Sequence, residues 1–237
     1  MPEFTLRHVL TAALATLAFL AAFNFMSLRN NVQAFEARGE SIAADTTETN
    51  PLLNEWKGNY GGVPPFDKVQ IAHFKPALEA AMAENLKEID NIANNSTTPT
   101  FENTIAEMER AGSTLERVST VYGIWTGTMS NPEMRGVERE MGPKLAAFSD
   151  KITQNEKLFR RIEAVYNSRE KLNLTPEQKR LTWRYYTNFV RAGAKLGATE
   201  KNRLSEINQQ LAGLYTRFSQ NLLADETDLF VVIKDEA

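Results

Sequence analysis

Two histidines, His8 and His73, are the only imidazoles in the chain, and cysteine is absent. Those two facts bound the chemistry. A zinc protease helix needs two histidines at i and i+4 with a glutamate between them, so an H-E-x-x-H site cannot be assembled from these residues. Disulfides, thiolate metal sites, a cysteine nucleophile and a lipid-modified N-terminal cysteine are excluded as well. A serine triad would need partners for His73, and neither these nor a G-x-S-x-G turn is present. His73 stands in Ile71-Ala-His-Phe-Lys-Pro76, ahead of an apolar helical repeat. An imidazole bonded to backbone at a helix start is the expected role there, rather than a base or a ligand. The carboxylate pairs Glu107/Glu109 and Glu138/Glu140 stand two residues apart, which on a helix turns the members to different faces. Neither pair can converge on one substrate atom, so they read as solvated surface charges, and a di-iron bundle would need Glu-x-x-His pairs that do not occur. Gly58, Gly61 and Gly62, near Pro64 and Pro65, lack the strand and the Lys-Ser/Thr of a phosphate loop and read as turns. Trp56, Tyr60 and Phe66 beside them are expected to pack on helices, with a peptide-binding surface as the other use. No residue is assigned a catalytic, cofactor-binding or metal-binding role.

The elements that carry these residues are helical. With 27 Lys and Arg against 30 Asp and Glu, the net charge is −3, which excludes a strongly basic nucleic-acid binder. The 237 residues are 42% hydrophobic and 24% charged, enough apolar material for a packed core. From residue 64 to 224 the apolar positions recur every three or four residues, the mark of amphipathic helices facing a core. A first helix is expected from Pro76 to the Asn94-Asn95-Ser96 break. A second carries Phe101, Ile105, Met108, Leu115, Val118, Tyr122 and Trp125, with Gly112 in its middle kept by a close helix contact. The third follows Pro132 and should bend or break at Pro143. A fourth uses Leu158, Phe159, Ile162, Val165 and Tyr166. A fifth starts at Pro176 under the cap Thr175-Pro-Glu-Gln178. The sixth, capped by Thr199, has the longest stripe: Leu204, Ile207, Leu211, Leu214, Phe218 and Leu222. Residues 229–233, Leu-Phe-Val-Val-Ile, then read as a single strand, with partner strands expected beyond Ala237 or, alternatively, in residues 60–63.

Ahead of the helices, residues 9–26 are uncharged and mostly apolar behind Arg7 and His8. That segment is a signal peptide cleaved after Ala34 in Val32-Gln-Ala34, or a retained anchor, because its length lies between the two classes. Both place the rest outside the cytoplasm, exported to the periplasm or anchored to the membrane by 9–26. Residues 35–49 read as a flexible tether.

Blocks in order along the chain then carry a family likeness: Asn50-Pro-Leu-Leu-Asn-Glu-Trp56, Val63-Pro-Pro-Phe66, His73-Phe-Lys-Pro-Ala77, Pro99-Thr-Phe-Glu-Asn-Thr-Ile105, Phe189-Val-Arg-Ala-Gly193 and Leu222-Leu-Ala-Asp-Glu226. Together they resemble the N-terminal portion of the peptidyl-dipeptidase Dcp and oligopeptidase A family of zinc metallopeptidases, relatives of thimet oligopeptidase. The resemblance implies an almost wholly helical fold enclosing a deep channel for short peptides, cut by a zinc held by H-E-x-x-H and a later Glu. No zinc ligand of that family falls on any position here. The implied organisation is 1–34 leader, 35–49 tether and 50–237 an all-α region of the peptidase, with zinc and hydrolysis in a missing half. Expected partners are short peptides in the complete enzyme and the missing catalytic half, with no nucleic acid and membrane contact only through the leader. An independent exported helical module that binds peptides or a partner helix without cutting them is the other reading.

Overall fold

Side chains that accept the first free amides decide where the helices start. The computed structural model describes residues 50–59 and 62–229; the leader and tether (1–49) lie outside them. Asn50 Oδ1 accepts from the Leu52 N–H at 3.1 Å and opens a 3₁₀ turn, Pro51–Leu53. The Asn50 amide donates to the His73 carbonyl at 2.8 Å, tying this turn to α1 (Ile71–Ala93). α1 starts upstream of the expected Pro76. The Gln70 N–H donates to His73 Nδ1 at 3.0 Å, which caps the first turn, and Pro76 is carried inside the helix at the loss of one backbone bond.

Thr100 and Asn103 cap a π-helical turn, Phe101–Ala106, that runs into α2 (Glu107–Arg110). The helix expected to continue through Gly112 breaks there. Gly112 has φ +83°, and a Cβ would lie 3.0 Å from Asn85 Nδ2, so left-handed backbone and close approach both require glycine. Its N–H donates to Glu88 Oε2 at 2.7 Å. α3 (Ser113–Thr128) follows, then α4 (Pro132–Thr153), capped by Asn131 and continuous through Pro143 rather than interrupted by it. α5 (Glu156–Ser168) is capped by Asn155. α6 (Pro176–Arg191) opens on the expected box, with Gln178 N–H to Thr175 Oγ1 at 3.3 Å and Thr175 N–H to Gln178 Oε1 at 3.0 Å. α7 (Ala198–Asp228) is capped at Gly197, not Thr199, and Leu229 ends it by donating its N–H to the Asp225 carbonyl. The strand expected at 229–233 therefore begins inside the helix cap, and 230–233 lie outside the described residues. Among the described residues the fold is all-α, and extended pairing is limited to one antiparallel bridge between Lys57 and Val63.

Two apolar cores lie along α1. Its first half joins α3 and α4 around Phe74, Leu78, Val118, Val121, Met134 and Met141. Phe74 is fully buried, edge-on to Tyr122 and to Trp125 with ring centroids 5.8 and 5.2 Å away. The end of α1 joins the π-turn, α5 and α6 around Ile89, Ile105, Leu158, Ile162, Val165 and Phe189. Buried Asn85 lies between the two along α1 and donates to Glu88 Oε2. The second core is closed by Arg161, only 6% exposed. Its guanidinium donates to the carbonyls of Asn95 and Thr97 at 2.6 and 3.0 Å, to Asn103 Oδ1 at 2.8 Å and to Thr104 Oγ1 at 3.2 Å. No carboxylate is among those partners, and burial pulls the guanidinium pKa down from its ordinary value.

Candidate functional site

The residues with potential chemistry are dispersed and occupied. His73 Nδ1 accepts from the Gln70 N–H, the backbone role expected of it. Glu107 pairs with Arg110, while Glu109 accepts from the Tyr185 hydroxyl, whose pKa is pushed up by burial and by that carboxylate. Glu138 accepts from Gln220 Nε2 at 2.8 Å. Glu140 lies between Lys75 and Lys144 at 2.6 and 2.8 Å, and these two ammonium groups, Lys144 foremost, hold its carboxyl at a pKa of about 2. Lys144 also meets Glu79 at 2.6 Å, so this network crosses from α4 to α1. The carboxylate pairs are thus not merely solvated: each member has a partner, and the two members of a pair face different ones. Among the described residues no group of three or more His, Asp or Glu is arranged to hold a metal ion, and the one imidazole among them already has Nδ1 engaged. This donor set does not fit a zinc centre.

Trp56 packs against the first core, as expected, and Phe66 is exposed. Tyr60 and Gly61 lie outside the described residues. Gly62 has φ +96°, and a Cβ there would meet the Trp56 backbone at 2.5 Å, so the turn before Val63 requires glycine.

The surface with the capacity to bind lies on α7. Its polar and small residues face α4, in the most extensive helix pairing of the fold. Asn208 Nδ2 donates to Asp150 Oδ1 at 2.7 Å, Lys201 Nζ to the Gln154 carbonyl at 3.3 Å, and Gln220 Nε2 to the Arg135 carbonyl at 3.0 Å. Where the backbones come closest, a Cβ on Gly142 would lie 3.0 Å from Thr216 Oγ1, and one on Gly213 would lie 4.0 Å from Pro143. The stripe Leu204, Ile207, Leu211, Leu214, Phe218, Leu222 divides: Leu204, Ile207 and Leu211 are half-buried, with Leu204 Cδ2 2.7 Å from where a Cβ on Gly193 would lie, and the rest is exposed. Leu214, Phe218 and Leu222 are 52%, 67% and 49% exposed, and no apolar side chain of α7 is buried among the described residues. A stripe expected to face a core does so only in part, and from Leu214 onward it faces outward. Beside it Arg139, Gln209, Gln210, Gly213, Leu214 and Arg217 line an open groove of about 500 Å³. Apolar anchors, two guanidinium groups and two amides suit non-covalent binding of a chain segment and supply no nucleophile or general base. Of the groove residues only Leu214 was singled out from sequence. The face of α7 that is polar or small at 201, 208, 212, 216 and 220 marks the seam with α4 and not the groove.

No family model matches the chain. Among curated proteins it is similar to the dipeptidyl carboxypeptidase of Salmonella typhimurium, 36% identical over 176 residues, covering 74% of this chain and 26% of that protein. It is also 36% identical over 191 residues to the dipeptidyl carboxypeptidase of Escherichia coli, covering 81% and 28%. Oligopeptidase A of Escherichia coli is 23% identical over 189 residues, covering 80% and 27%. The chain thus spans about a quarter of the length of the curated relatives it matches.

Proposed function

The chain belongs to the dipeptidyl carboxypeptidase and oligopeptidase A family, and on that premise we propose that it is a non-catalytic, helical part of an exported zinc peptidyl-dipeptidase. In this reading its helices form one wall of a channel for short peptides. Hydrolysis belongs to an H-E-x-x-H segment that the 237 residues do not contain. Zinc would supply activated water there, and no step of that chemistry runs through a side chain of this chain. The uncharged segment 9–26 supports export or anchoring outside the cytoplasm. Among the described residues no helix is long and apolar enough to cross a membrane.

The observation that carries the reading is the outward apolar stripe of α7 in a chain of a quarter of its relatives' length. A helix face of this kind is built to be covered, because soluble proteins seldom leave a large contiguous apolar patch open. The test is a graft: this chain replaces the matching quarter of the Escherichia coli dipeptidyl carboxypeptidase, beside the full chain alone. The reading expects zinc-dependent dipeptide release from the graft and none from the chain. Chelator-sensitive release by the chain alone would overturn the non-catalytic assignment. A folded but inactive graft would favour the independent binding module instead.

A further inference from the structure

α7 is joined to the rest of the molecule differently from every other long helix. It contributes no fully buried apolar side chain, only half-buried Leu204, Ile207 and Leu211, of which Leu204 lies against Gly193, and its seam with α4 is made of side-chain hydrogen bonds and a close passage of small residues. Two groups in that seam, Asp150 Oδ2 and Gln154 Nε2, are buried with no partner. A seam of this composition gains little from excluding water, since its polar groups find equal partners in water when it opens. The connection is also suited to movement. α6 ends with Gly193 at φ +91°, its N–H bonded to the Val190 carbonyl and the Ala194 N–H to that of Phe189, so the body terminates cleanly at buried Ala194. Lys195, Leu196 and Gly197, all exposed, then lead into α7. The antiparallel contacts run from Lys201 on Gln154 to Gln220 on Arg135, so residues beyond about 224 project past the start of α4.

We propose that α7 is an arm that opens from α4 as one cooperative unit, pivoting at 195–197, while the two apolar cores stay folded. Opening exposes no fully buried apolar side chain and leaves Leu214, Phe218 and Leu222 as accessible as before, so the arm can reorient that exposed part of the stripe. The inference uses only α4, α6 and α7 and does not depend on the peptidase reading.

Hydrogen exchange of the full chain tests it. Detached from α4, the helix loses the packing that supports it and unwinds far more often, so amides of 198–220 should exchange on the order of a hundredfold faster than those of α1 and α4, and together rather than in a gradient. The chain has no cysteine, so a Gly142→Cys/Thr216→Cys pair places its only two thiols across the closest point of the seam. Oxidation should slow α7 to the rate of α4, and reduction should restore the fast rate. Exchange of α7 in step with α4 in the unlinked chain would overturn the proposal. So would fast exchange confined to 221–228, which is end fraying, or failure of the two thiols to join.

Discussion

The block formed by α1 to α6 and the seam between α4 and α7 use the same helical periodicity to opposite ends. In the block, apolar faces meet: Phe74, Met134 and Met141 in one core and Ile105, Leu158 and Ile162 in the other are fully buried. In the seam, Asn208, Ala212, Thr216 and Gln220 turn inward, and Leu214, Phe218 and Leu222 turn out. Burial of a Phe or Leu side chain stabilises by about 1.5–3 kcal/mol, whereas a net hydrogen bond contributes about 1 kcal/mol. Stability therefore resides in the block, and α7 keeps its apolar surface for contact with something else. The difference shows that a periodic stripe marks an apolar face without saying whether the same chain covers it.

The sharpest way to break that contrast is at Phe74. Phe74→Ala should lower the unfolding free energy by about 3–5 kcal/mol, because it removes the ring at the centre of the Tyr122 and Trp125 edge contacts. Chemical denaturation reads this directly, and a loss under about 1 kcal/mol would mean that the first core can do without the ring.

Arg161→Ala should cost about 1–3 kcal/mol, since it removes the donor from the buried Thr104 hydroxyl and from the partly buried bonds to the Asn95 and Thr97 carbonyls. A variant as stable as the parent would show that water satisfies those acceptors.

Thr175→Ala should cost ~1 kcal/mol by removing the acceptor for the Gln178 N–H. An unchanged denaturation midpoint would shift the start of α6 elsewhere.

The smallest effect is expected at Glu140. Its carboxyl titrates near 2 instead of the ordinary 4.5, so it stays ionised in the folded state over pH values where the unfolded chain takes up the proton. The stability it supplies is complete above the ordinary range and is lost as pH falls from about 4.5 towards 2. Glu140→Gln should flatten the acid limb of a stability–pH curve slightly, and less so in high salt because the pair is exposed. An acid limb identical to the parent's would remove Glu140 from the account.

Much of this architecture was legible in the sequence because local chemistry fixed it. Thr175-Pro-Glu-Gln178 predicted the start of α6, Asn94 the end of α1, and the three-and-four spacing of α5 its buried face. Departures arose where a tertiary or unusual cap overrode the local pattern. The bond from the Gln70 N–H to His73 Nδ1 moved the start of α1 ahead of Pro76, and Glu88 and Asn85 held Gly112 in the left-handed region. Thr199, a good cap by type, lies inside α7 because Gly197 takes the cap position. The π-turn at 101–106 has no signature in residue spacing. The candidate site was half legible: the stripe could be read, but its direction depends on how closely Gly142 and Gly213 let α4 and α7 approach.

The most direct measurement is the unfolding free energy of Phe218→Ala in the full chain, set beside Phe74→Ala. Phe218 is 67% exposed on the outer face of α7, so its removal should leave stability within about 0.5 kcal/mol of the parent. A loss of the size expected at Phe74 would mean that the stripe belongs to the chain's own core, and would contradict the account of α7 as a binding face.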